Sequence, residues 1–480
     1  MTGLKPENVF HYFEEISKIP RGSGNTKAVS DYCVAFAQEH GLEVSQDEWN
    51  NVIIRKPASK GREKEAGIIL QGHLDMVNEK TPESTHDFMR DGIELMIKGE
   101  FLTAKDTTLG ADDGIAVAYS LALLADETLS HPQLEVLLTT DEETGMDGAR
   151  NMDLSDITGK YVLNMDSEDE GIITAGCAGG GKAKTAIPVE REDCTGSVYA
   201  LRISGCKGGH SGVEIHKGRA NADILMGRFL KGLSGQTEVH LIHMNGGGKD
   251  NAIPRVCEAK IVLAQGDEEI LLNQKKMFEE VVQKEYASTD PDIVLECVKE
   301  AETGAFALTK QSTEQVLNYL MTVPDQVMYM SHDIDGLVET SLNLGILSLE
   351  EKELQLCTSV RSSVRSRKDL LFDKLRAMAE IFHGTIEISG EYPEWEYRKD
   401  SLLRDTAQEI YHELYGEELK VDVIHAGLEC GYLLQKKPDL DIISFGPQMY
   451  DIHTTEERLS IPSAEKVYHF VRTMIEHGIK

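Results

Sequence analysis

The sequence lacks the features that mark membrane proteins and nucleic-acid-binding proteins. No stretch approaches the roughly 18 uninterrupted apolar residues of a membrane-spanning helix, and the first residues form no apolar leader segment. Lysine and arginine total 49 against 82 aspartates and glutamates, a formal net charge of −33. Because phosphate groups are bound by clustered positive charge, this balance argues against nucleic-acid and membrane partners. We therefore expect a cytoplasmic protein.

Paired cysteines are absent too. The eight cysteines are scattered, with no CxxC pair and no regular spacing, so we expect reduced thiols rather than disulfides or zinc fingers. Proline is scarce, whereas 40% of the residues are hydrophobic and 27% are charged. This is the balance of a globular protein and excludes disordered and collagen-like classes. The 480 residues suffice for two or three domains.

Helix-like and strand-like segments alternate in the first part of the chain. Residues 8–18 and 26–39 carry apolar side chains at helical spacing, and residues 115–124 predict a further helix. Three short apolar runs are typical of strands buried on both faces. These runs are residues 67–70, 134–138 and 161–163. The alternation predicts an α/β fold with a largely parallel, mixed sheet.

The pattern changes over residues 186–395. Strand-like runs with alternating polarity and intervening helical stretches predict an antiparallel sheet there. After Trp395 the α/β pattern returns, with a helix over residues 402–415 and a strand over residues 441–444. We therefore predict one α/β domain, residues 1–185 and 396–480, interrupted by an inserted α+β domain, residues 186–395.

Acidic and histidine residues follow directly after the three predicted strands. They are His73 and Asp75 after the first strand, Glu142 and Glu143 after the second, and Asp166 after the third. A loop before a predicted helix adds Asp112 and Asp113. In open parallel sheets, sites form in the crevice beyond the carboxyl ends of the strands. These side chains are therefore expected at one edge of the sheet.

So many carboxylates in one crevice need a compensating positive charge. Divalent metal ions supply it, and a mixture of histidine and carboxylate ligands suits zinc, cobalt or manganese. Each residue taken alone is more simply explained as a cap or turn residue at a strand end. Their joint occurrence predicts a metal site.

Five motifs, in this order, resemble the signature of the di-zinc peptidase superfamily that includes glutamate carboxypeptidase and aminoacylase. They are GHLD at residues 72–75, GADDG at 110–114, DEETG at 141–145, NMD at 164–166 and the late His453. Two longer stretches, residues 208–222 and 425–431, narrow the resemblance to the aminoacyl-histidine dipeptidase branch, the cytosolic nonspecific and carnosinase-like dipeptidases. The resemblance extends from about residue 20 to the C-terminus.

The resemblance implies a zinc-peptidase-like catalytic domain, with the inserted domain as a lid. It also implies two Zn²⁺ per chain, for which Co²⁺ or Mn²⁺ could substitute. One ion would be held by His73, Asp112 and Asp166, and the other by Asp112, Glu143 and His453. Glu142 would be the general base for a hydroxide that bridges the metals, and Asp75 would orient the ring of His73. The peptide bond between Asp112 and Asp113 would be cis.

Further roles follow from the resemblance. His210 would stabilise the oxyanion, either in its own chain or across a dimer. Asn251 and Arg361 would hold the carboxylate of the substrate, and His425 and Glu429 would face the substrate. Without the resemblance, His210 is more simply a turn histidine between glycines, and the other four are equally consistent with structural polar residues.

The sequence thus predicts metal-dependent hydrolysis of dipeptides, including Xaa-His dipeptides such as β-Ala-His, by a protein that the family suggests is a homodimer. A tripeptide aminopeptidase or an N-acyl-amino-acid amidohydrolase of the same superfamily would share the metal ligands and stays open as an alternative. A non-catalytic metal-binding scaffold is disfavoured, because it has no use for Glu142 beside the ligand Glu143.

One glycine-rich stretch, GCAGGGK at residues 176–182, is similar to a phosphate-binding loop. Ala183 follows where that loop needs a hydroxyl group to bind magnesium. We therefore predict a glycine-rich turn near the domain junction.

Overall fold

The computed structural model describes residues 3–479. Over these residues the α-helices, in chain order, are α1 (Glu7–Ser17), α2 (Lys27–Glu39), α3 (Ala111–Ala125), α4 (Asp147–Asn151), α5 (Ala222–Ser234), α6 (Glu268–Glu285), α7 (Lys310–Thr322), α8 (Arg365–Ile381), α9 (Leu402–Tyr415), α10 (Cys430–Lys436) and α11 (Ile461–His477). A short 3₁₀ helix covers Ile215–Lys217. No helix in this part of the chain is long and apolar enough to cross a membrane.

The strands are numbered in the same way. They are β1 (Glu43–Gln46), β2 (Val52–Lys56), β3 (Ile68–His73), β4 (Leu95–Lys98), β5 (Phe101–Ala104), β6 (Leu134–Thr139), β7 (Tyr161–Asn164), β8 (Ile172–Cys177), β9 (Gly179–Pro188), β10 (Arg191–Thr195), β11 (Ser197–Ser204), β12 (Gly209–His210), β13 (Val239–Gly247), β14 (Ala252–Ile253), β15 (Cys257–Leu263), β16 (Val294–Lys299), β17 (Gly304–Leu308), β18 (Gln326–Met330), β19 (Val338–Leu349), β20 (Glu353–Ser362), β21 (Thr385–Tyr392), β22 (Lys420–Ile424), β23 (Asp441–Ser444), β24 (Met449–Tyr450) and β25 (Arg458–Ser460).

The chain divides into two compact units. The first unit comprises Met1–Gly176, Tyr397–Val423 and Leu428–Lys480, and the second comprises Cys177–Glu396 and Ile424–Gly427. Each unit has its own hydrophobic core. All eight cysteines lie within the described residues and none of them forms a disulfide bond, in agreement with their scattered spacing.

The main sheet of the first unit has eight strands in the order β1-β2-β6-β3-β7-β23-β8-β22. Its centre is parallel, because β3 pairs with β6 and β7, and β7 pairs with β23, in the parallel sense. Strands β1, β2 and β8 pair in the antiparallel sense. Every residue of β3, β6 and β7 is buried, as their continuous apolar runs predict. The predicted α/β class with a mixed sheet is confirmed.

Helix α3 lies against β3 and is buried on every side. Residues 111–124 are all buried, because after Asp112 and Asp113 this segment carries mainly apolar or small side chains around its whole circumference. The helix also packs against α1, where Phe10 and Phe13 are fully buried. Its first turn is thereby fixed beside the carboxyl end of β3.

The second unit is built on an antiparallel sheet, as predicted. Its strands follow the order β16-β11-β15-β13-β19-β20-β9-β21, and β18 pairs with β19 at one side. Helices α5, α7 and α8 pack against this sheet. Large apolar side chains such as Phe229, Leu320 and Phe372 fill the core of this unit.

The prediction of a turn over the glycine-rich stretch is wrong. Residues 179–181 begin the long strand β9, which lies between β20 and β21. These three glycines are buried, and a Cβ atom on Gly180 would overlap the hydroxyl group of Tyr392. Glycine is needed here because neighbouring segments of the same chain approach too closely for a side chain. It does not serve to form a turn.

Candidate metal centre

The first unit gathers the predicted acidic and histidine side chains at one edge of its sheet. His73 is the last residue of β3, Glu142 and Glu143 follow the end of β6, and Asp166 follows the end of β7. These three strands are parallel neighbours, so their carboxyl ends meet at the same edge. Asp112 joins them from the first turn of α3. The expected grouping is what the structure contains.

Asp112 lies between two groups of side chains. Its Oδ1 atom is 3.1 Å from Nε2 of His73, and its Oδ2 atom is 3.1 Å from Nε2 of His453. Asp166 completes the first group, with Oδ1 3.6 Å from Nε2 of His73. Glu143 completes the second, with Oε2 3.1 Å from Nε2 of His453. One carboxylate is therefore shared by two sets of converging donor atoms.

These donor atoms suit divalent cations. In the second group, one ligand atom each from Asp112, Glu143 and His453 lies within 4.8 Å of the others. The other oxygen of Glu143, Oε1, is buried without a hydrogen-bond partner. Two imidazoles and three carboxylates are a ligand set that zinc, cobalt and manganese accept. The residues present therefore fit metal binding, and Asp112 contacts both histidines of the centre.

The charges of this centre perturb its titration. Hydrogen bonds to Asp112 and Glu143 raise the pKa of His453 to about 11. Burial acts to raise the pKa of Asp112, but hydrogen bonds from His453 and His73 hold it well below its usual value. Burial raises the pKa of Glu143 and of Asp166. Because a metal-ligating imidazole must be neutral, binding of a cation by His453 would release a proton.

Asp75 connects the carboxyl end of β3 with the loop that follows β6. Nδ1 of His73 donates to the carbonyl oxygen of Asp75 at 3.1 Å, which leaves the lone pair on Nε2 pointing at Asp112. The carboxylate of Asp75 accepts the N–H groups of Glu142 and Glu143 at 3.1 and 3.3 Å. It also accepts the hydroxyl of Ser23 at 2.8 Å. The side chain of Asp75 thus fixes the backbone of the paired glutamates.

Glu142 lies beside Glu143. One oxygen from each of these two carboxylates and one ring nitrogen of His73 all lie within 4.8 Å of one another. Burial, reinforced by the neighbouring carboxylates Asp166 and Glu429, raises the pKa of Glu142 well above its ordinary value. The carboxyl group of Glu142 therefore binds a proton more readily than an exposed glutamate does.

Glu429 lies in the first unit and is fully buried. Its Oε2 atom accepts hydrogen bonds from Gln71 and Thr139, both at 2.6 Å, and its Oε1 atom has no hydrogen-bond partner. Gln71 in turn accepts a hydrogen bond from Asn164. Burial raises the pKa of Glu429 to about 7. The interior of the sheet edge therefore contains a further carboxyl group close to the ends of β3 and β6.

His210 lies in the second unit, in the short strand β12. Its Nδ1 atom accepts the N–H groups of Gly212 and Val213 at 3.1 and 3.2 Å. The proton of the neutral ring must therefore be on Nε2. Burial and the nearby charge of Arg361 lower the pKa of His210. The ring is a neutral hydrogen-bond donor through Nε2.

The remaining predicted residues also lie in the second unit. Arg361 donates to the hydroxyl of Tyr392 at 2.9 Å, and Nε2 of His425 lies 2.8 Å from the hydroxyl of Ser341. Burial and the charge of Arg361 lower the pKa of His425 to about 3, so its ring is neutral. The side chain of Asn251 is exposed.

Two buried charged residues escaped the sequence analysis. Arg21 donates to the carbonyl oxygens of Leu74 and Asp75, each at 3.0 Å. Glu457 accepts backbone N–H groups at the start of α3. The only available signal for Glu457 was its position four residues after His453. Arg21 had no signal, because its partners are backbone atoms.

Comparisons with known proteins agree with this geometry. Residues 255–477 match Peptidase family M20/M25/M40, and residues 201–290 match the Peptidase dimerisation domain. The chain is 36% identical over 465 residues to the cytosol non-specific dipeptidase of Escherichia coli (strain K12), a match that covers 96% of each chain.

Solved structures agree as well. Aminoacylhistidine dipeptidase from Vibrio alginolyticus is 36% identical, with a TM-score of 0.94 over 99% of this chain and 97% of that chain. Aminopeptidase PepT from Bacillus cereus ATCC 10987 is 16% identical, with a TM-score of 0.58 over 98% of each chain, and shares the fold alone. The 36% identity to the two dipeptidases, over nearly the full length of each chain, establishes common ancestry. The chain therefore belongs to peptidase family M20/M25/M40.

Proposed function

We propose that this protein is a two-metal dipeptidase whose substrates include Xaa-His dipeptides such as β-Ala-His. The observation that carries the proposal is that Asp112 is shared between two groups of ligand atoms. Glu142 lies next to one of these groups, after the end of β6. The dipeptidase names of the relatives from Escherichia coli and Vibrio alginolyticus support the substrate class.

The proposed cofactor is two Zn²⁺ per chain, with Co²⁺ or Mn²⁺ as substitutes. His73, Asp112 and Asp166 would hold one ion, and Asp112, Glu143 and His453 the other. When bound, the cations supply Lewis-acid polarisation of the scissile carbonyl and lower the pKa of water. Their positive charge also opposes the mutual repulsion of the carboxylates.

Glu142 is the proposed general base. It accepts a proton from the attacking water and delivers it to the leaving amine. Its raised pKa suits both steps, because the group must bind a proton and then release it within one turnover. Asp75 keeps Glu142 in place through its hydrogen bond to the backbone N–H of Glu142.

The second unit is proposed to act as a lid that supplies substrate contacts. His210 donates its Nε2–H to the oxyanion that forms at the scissile carbonyl. Arg361, whose Nε atom is buried without a partner, holds the free carboxylate of the dipeptide together with Asn251. His425 is also proposed to face the substrate, as is Glu429 of the first unit.

The proposed assembly is a homodimer in the cytoplasm. The match of residues 201–290 to a peptidase dimerisation domain supports the dimer, and the cytosolic relative supports the compartment. The proposed domain division is residues 1–185 and 396–480 for the catalytic domain and residues 186–395 for the lid. Analytical ultracentrifugation tests the dimer, and a monomer over the full concentration range would refute it.

A panel of small substrates tests the activity. The panel is β-Ala-His, Ala-His, Leu-Gly, a tripeptide and an N-acetyl amino acid, each assayed with a chelator and after addition of Zn²⁺, Co²⁺ or Mn²⁺. We expect cleavage of the dipeptides alone, abolished by the chelator and restored by metal. Preferential cleavage of the tripeptide or the N-acetyl substrate would show that the protein has a different activity of the same superfamily. No cleavage with any metal would refute the proposal.

A further inference from the structure

We infer that Glu457 and Arg21 are positioning residues for the metal centre, because together they clamp the peptide segment that carries the shared ligand Asp112. The inference rests on the proposed function, since it concerns the same two-metal centre. Neither side chain is among the metal ligands or the predicted catalytic residues. Both are buried charged groups, with exposed fractions of only 2% each.

The carboxylate of Glu457 holds three consecutive peptide groups. Its Oε2 atom accepts the N–H groups of Leu109 and Gly110 at 2.8 and 3.0 Å, and its Oε1 atom accepts the N–H of Ala111 at 2.8 Å. N–H groups at the start of a helix have no partner within the helix. The next residue in the chain is Asp112. Glu457 therefore fixes the backbone that sets the direction of the Asp112 side chain.

Arg21 holds the same segment from its other side. Its guanidinium donates to the carbonyl oxygen of Gly110 and to those of Leu74 and Asp75. The backbone of Gly110 is thus bound on both sides: its N–H group donates to Glu457, and its carbonyl oxygen accepts from Arg21. Gly110 has a φ of +70°, and a Cβ atom there would overlap the guanidinium of Arg21. The guanidinium joins the loop that carries Asp112 to the loop that follows His73.

Glu457 also belongs to the loop that carries His453. Its N–H donates to the carbonyl oxygen of Thr454 at 3.2 Å, and its own carbonyl accepts the hydroxyl of Thr103 on β5 at 2.9 Å. The backbone of Glu457 is therefore anchored close to His453, while its side chain is anchored next to Asp112. The 3.1 Å approach of His453 Nε2 to Asp112 Oδ2 spans these two loops. A change at Glu457 is expected to move one ligand relative to the other.

The charge of Glu457 is unfavourable for a residue that serves burial alone. A carboxylate placed near Asp112 repels it, and burial together with that charge raises the pKa of Glu457. The positive charge of Arg21 interacts favourably with the carboxylate of Glu457. Three charge-assisted hydrogen bonds to the N–H groups offset the repulsion. This arrangement is understandable if the geometry of Asp112 has to be held within narrow limits.

Glu457→Gln tests the inference through metal affinity. The amide keeps the size of the side chain, but its NH₂ group replaces an oxygen that accepts backbone N–H groups. We expect the affinity for Zn²⁺, measured by competition with a chromophoric chelator, to fall about 10- to 100-fold, as for other residues that orient metal ligands. At saturating Zn²⁺, we expect kcat for β-Ala-His to recover most of its value.

Glu135→Gln is the matched control. Glu135 is also a fully buried glutamate of the first unit, and it accepts the N–H groups of Thr158 and Gly159. It lies at the start of β6, at the opposite end from the strand end that leads to Glu143. We expect this variant to lose thermal stability and to keep the Zn²⁺ affinity of the wild type.

Arg21→Lys is the second variant, since lysine keeps the charge but cannot donate to three carbonyl groups at once. If Glu457→Gln does not fold, Arg21→Lys decides with the same expected loss. Zn²⁺ affinity within twofold of wild type, or an equal loss in Glu135→Gln, would overturn the inference. A wild-type protein that binds two ions and cleaves no dipeptide would instead refute the proposed function alone.

Discussion

The Nε2 atom of His453 lies 3.1 Å from Oδ2 of Asp112, although the two residues are 341 positions apart in the chain. The opposite oxygen of the same carboxylate lies 3.1 Å from Nε2 of His73. A single side chain on the first turn of a buried helix thus faces two histidines that come from distant parts of the first unit. This arrangement makes Asp112 the residue on which both proposed cation sites depend.

Asp112→Asn is therefore expected to weaken both metal sites, because it removes the negative charge that both groups share and replaces one of the two acceptor oxygens with an NH₂ group. Asp166→Asn, which alters only the group around His73, is expected to leave the site of His453 intact. Metal analysis after dialysis against a weak chelator gives the stoichiometry of each variant. Two ions retained by Asp112→Asn at wild-type affinity would show that this carboxylate does not bridge.

Glu142→Gln is expected to keep its bound metal and to lose activity, because glutamine cannot accept the proton from water. The expected decrease in kcat is about 10²- to 10⁴-fold. The matched control is Glu63→Gln, at an exposed glutamate of the same unit whose carboxylate accepts the N–H of Gly61. Turnover close to wild type in a metal-loaded Glu142→Gln protein would rule out this residue as the base.

His210→Ala is expected to reduce kcat about 10²- to 10³-fold, with little change in KM or metal content, because the donor to the oxyanion is lost. The exposed His216, a few residues further along, provides the control variant His216→Ala.

The pH dependence gives an independent check on His210. The pKa of His210 lies below the ordinary value for histidine, so the ring is uncharged around pH 7. We therefore expect that kcat does not rise as the pH falls below the ordinary pKa of histidine. A kcat that rises with acidification and loses this rise in His210→Ala would show that the protonated ring is the active form.

Asp223 predicts a pH-dependent stability of the second unit. Burial raises the pKa of its carboxyl to about 8, although a hydrogen bond with Cys257 acts in the opposite direction. Between the ordinary pKa and that value, the folded chain keeps a proton that the unfolded chain has released. The free energy of unfolding should therefore fall with rising pH, by about 1.4 kcal/mol per unit from this group.

Asp223→Asn should remove this slope, and the exposed Asp373→Asn on α8 should keep it. Urea denaturation of the three proteins between about pH 5 and 8 measures the difference. Parallel curves for wild type and Asp223→Asn would contradict the assignment of a neutral buried carboxyl group.

Much of the metal centre was predictable because its ligands stand next to strand ends. The apolar runs before His73, Glu142 and Asp166 place these residues at one sheet edge without reference to any relative. His453 carries no such signal, since it lies in a loop at a positive φ of 62°. Its role came only from the resemblance. The cis peptide between Asp112 and Asp113, also implied by the resemblance, is present.

The residues that hold the ligands could not be predicted. Arg21 and Glu457 bind backbone carbonyl and N–H groups, which leave no pattern in the sequence. The glycine-rich stretch at residues 179–181 misled for a related reason. Its glycines are required by the close approach of residues such as Tyr392, which lies more than 200 positions away in the chain. Local spacing describes turns and strands well, but it does not describe such distant contacts.

Hydrolysis of β-Ala-His by metal-free protein, followed as Zn²⁺ is added in known equivalents, tests the central claim most directly. We expect no cleavage without metal and full activity only after the second equivalent per chain has bound, because both groups around Asp112 must be filled. Cleavage by the metal-free protein, or activity that is complete after the first equivalent, would contradict a two-metal dipeptidase.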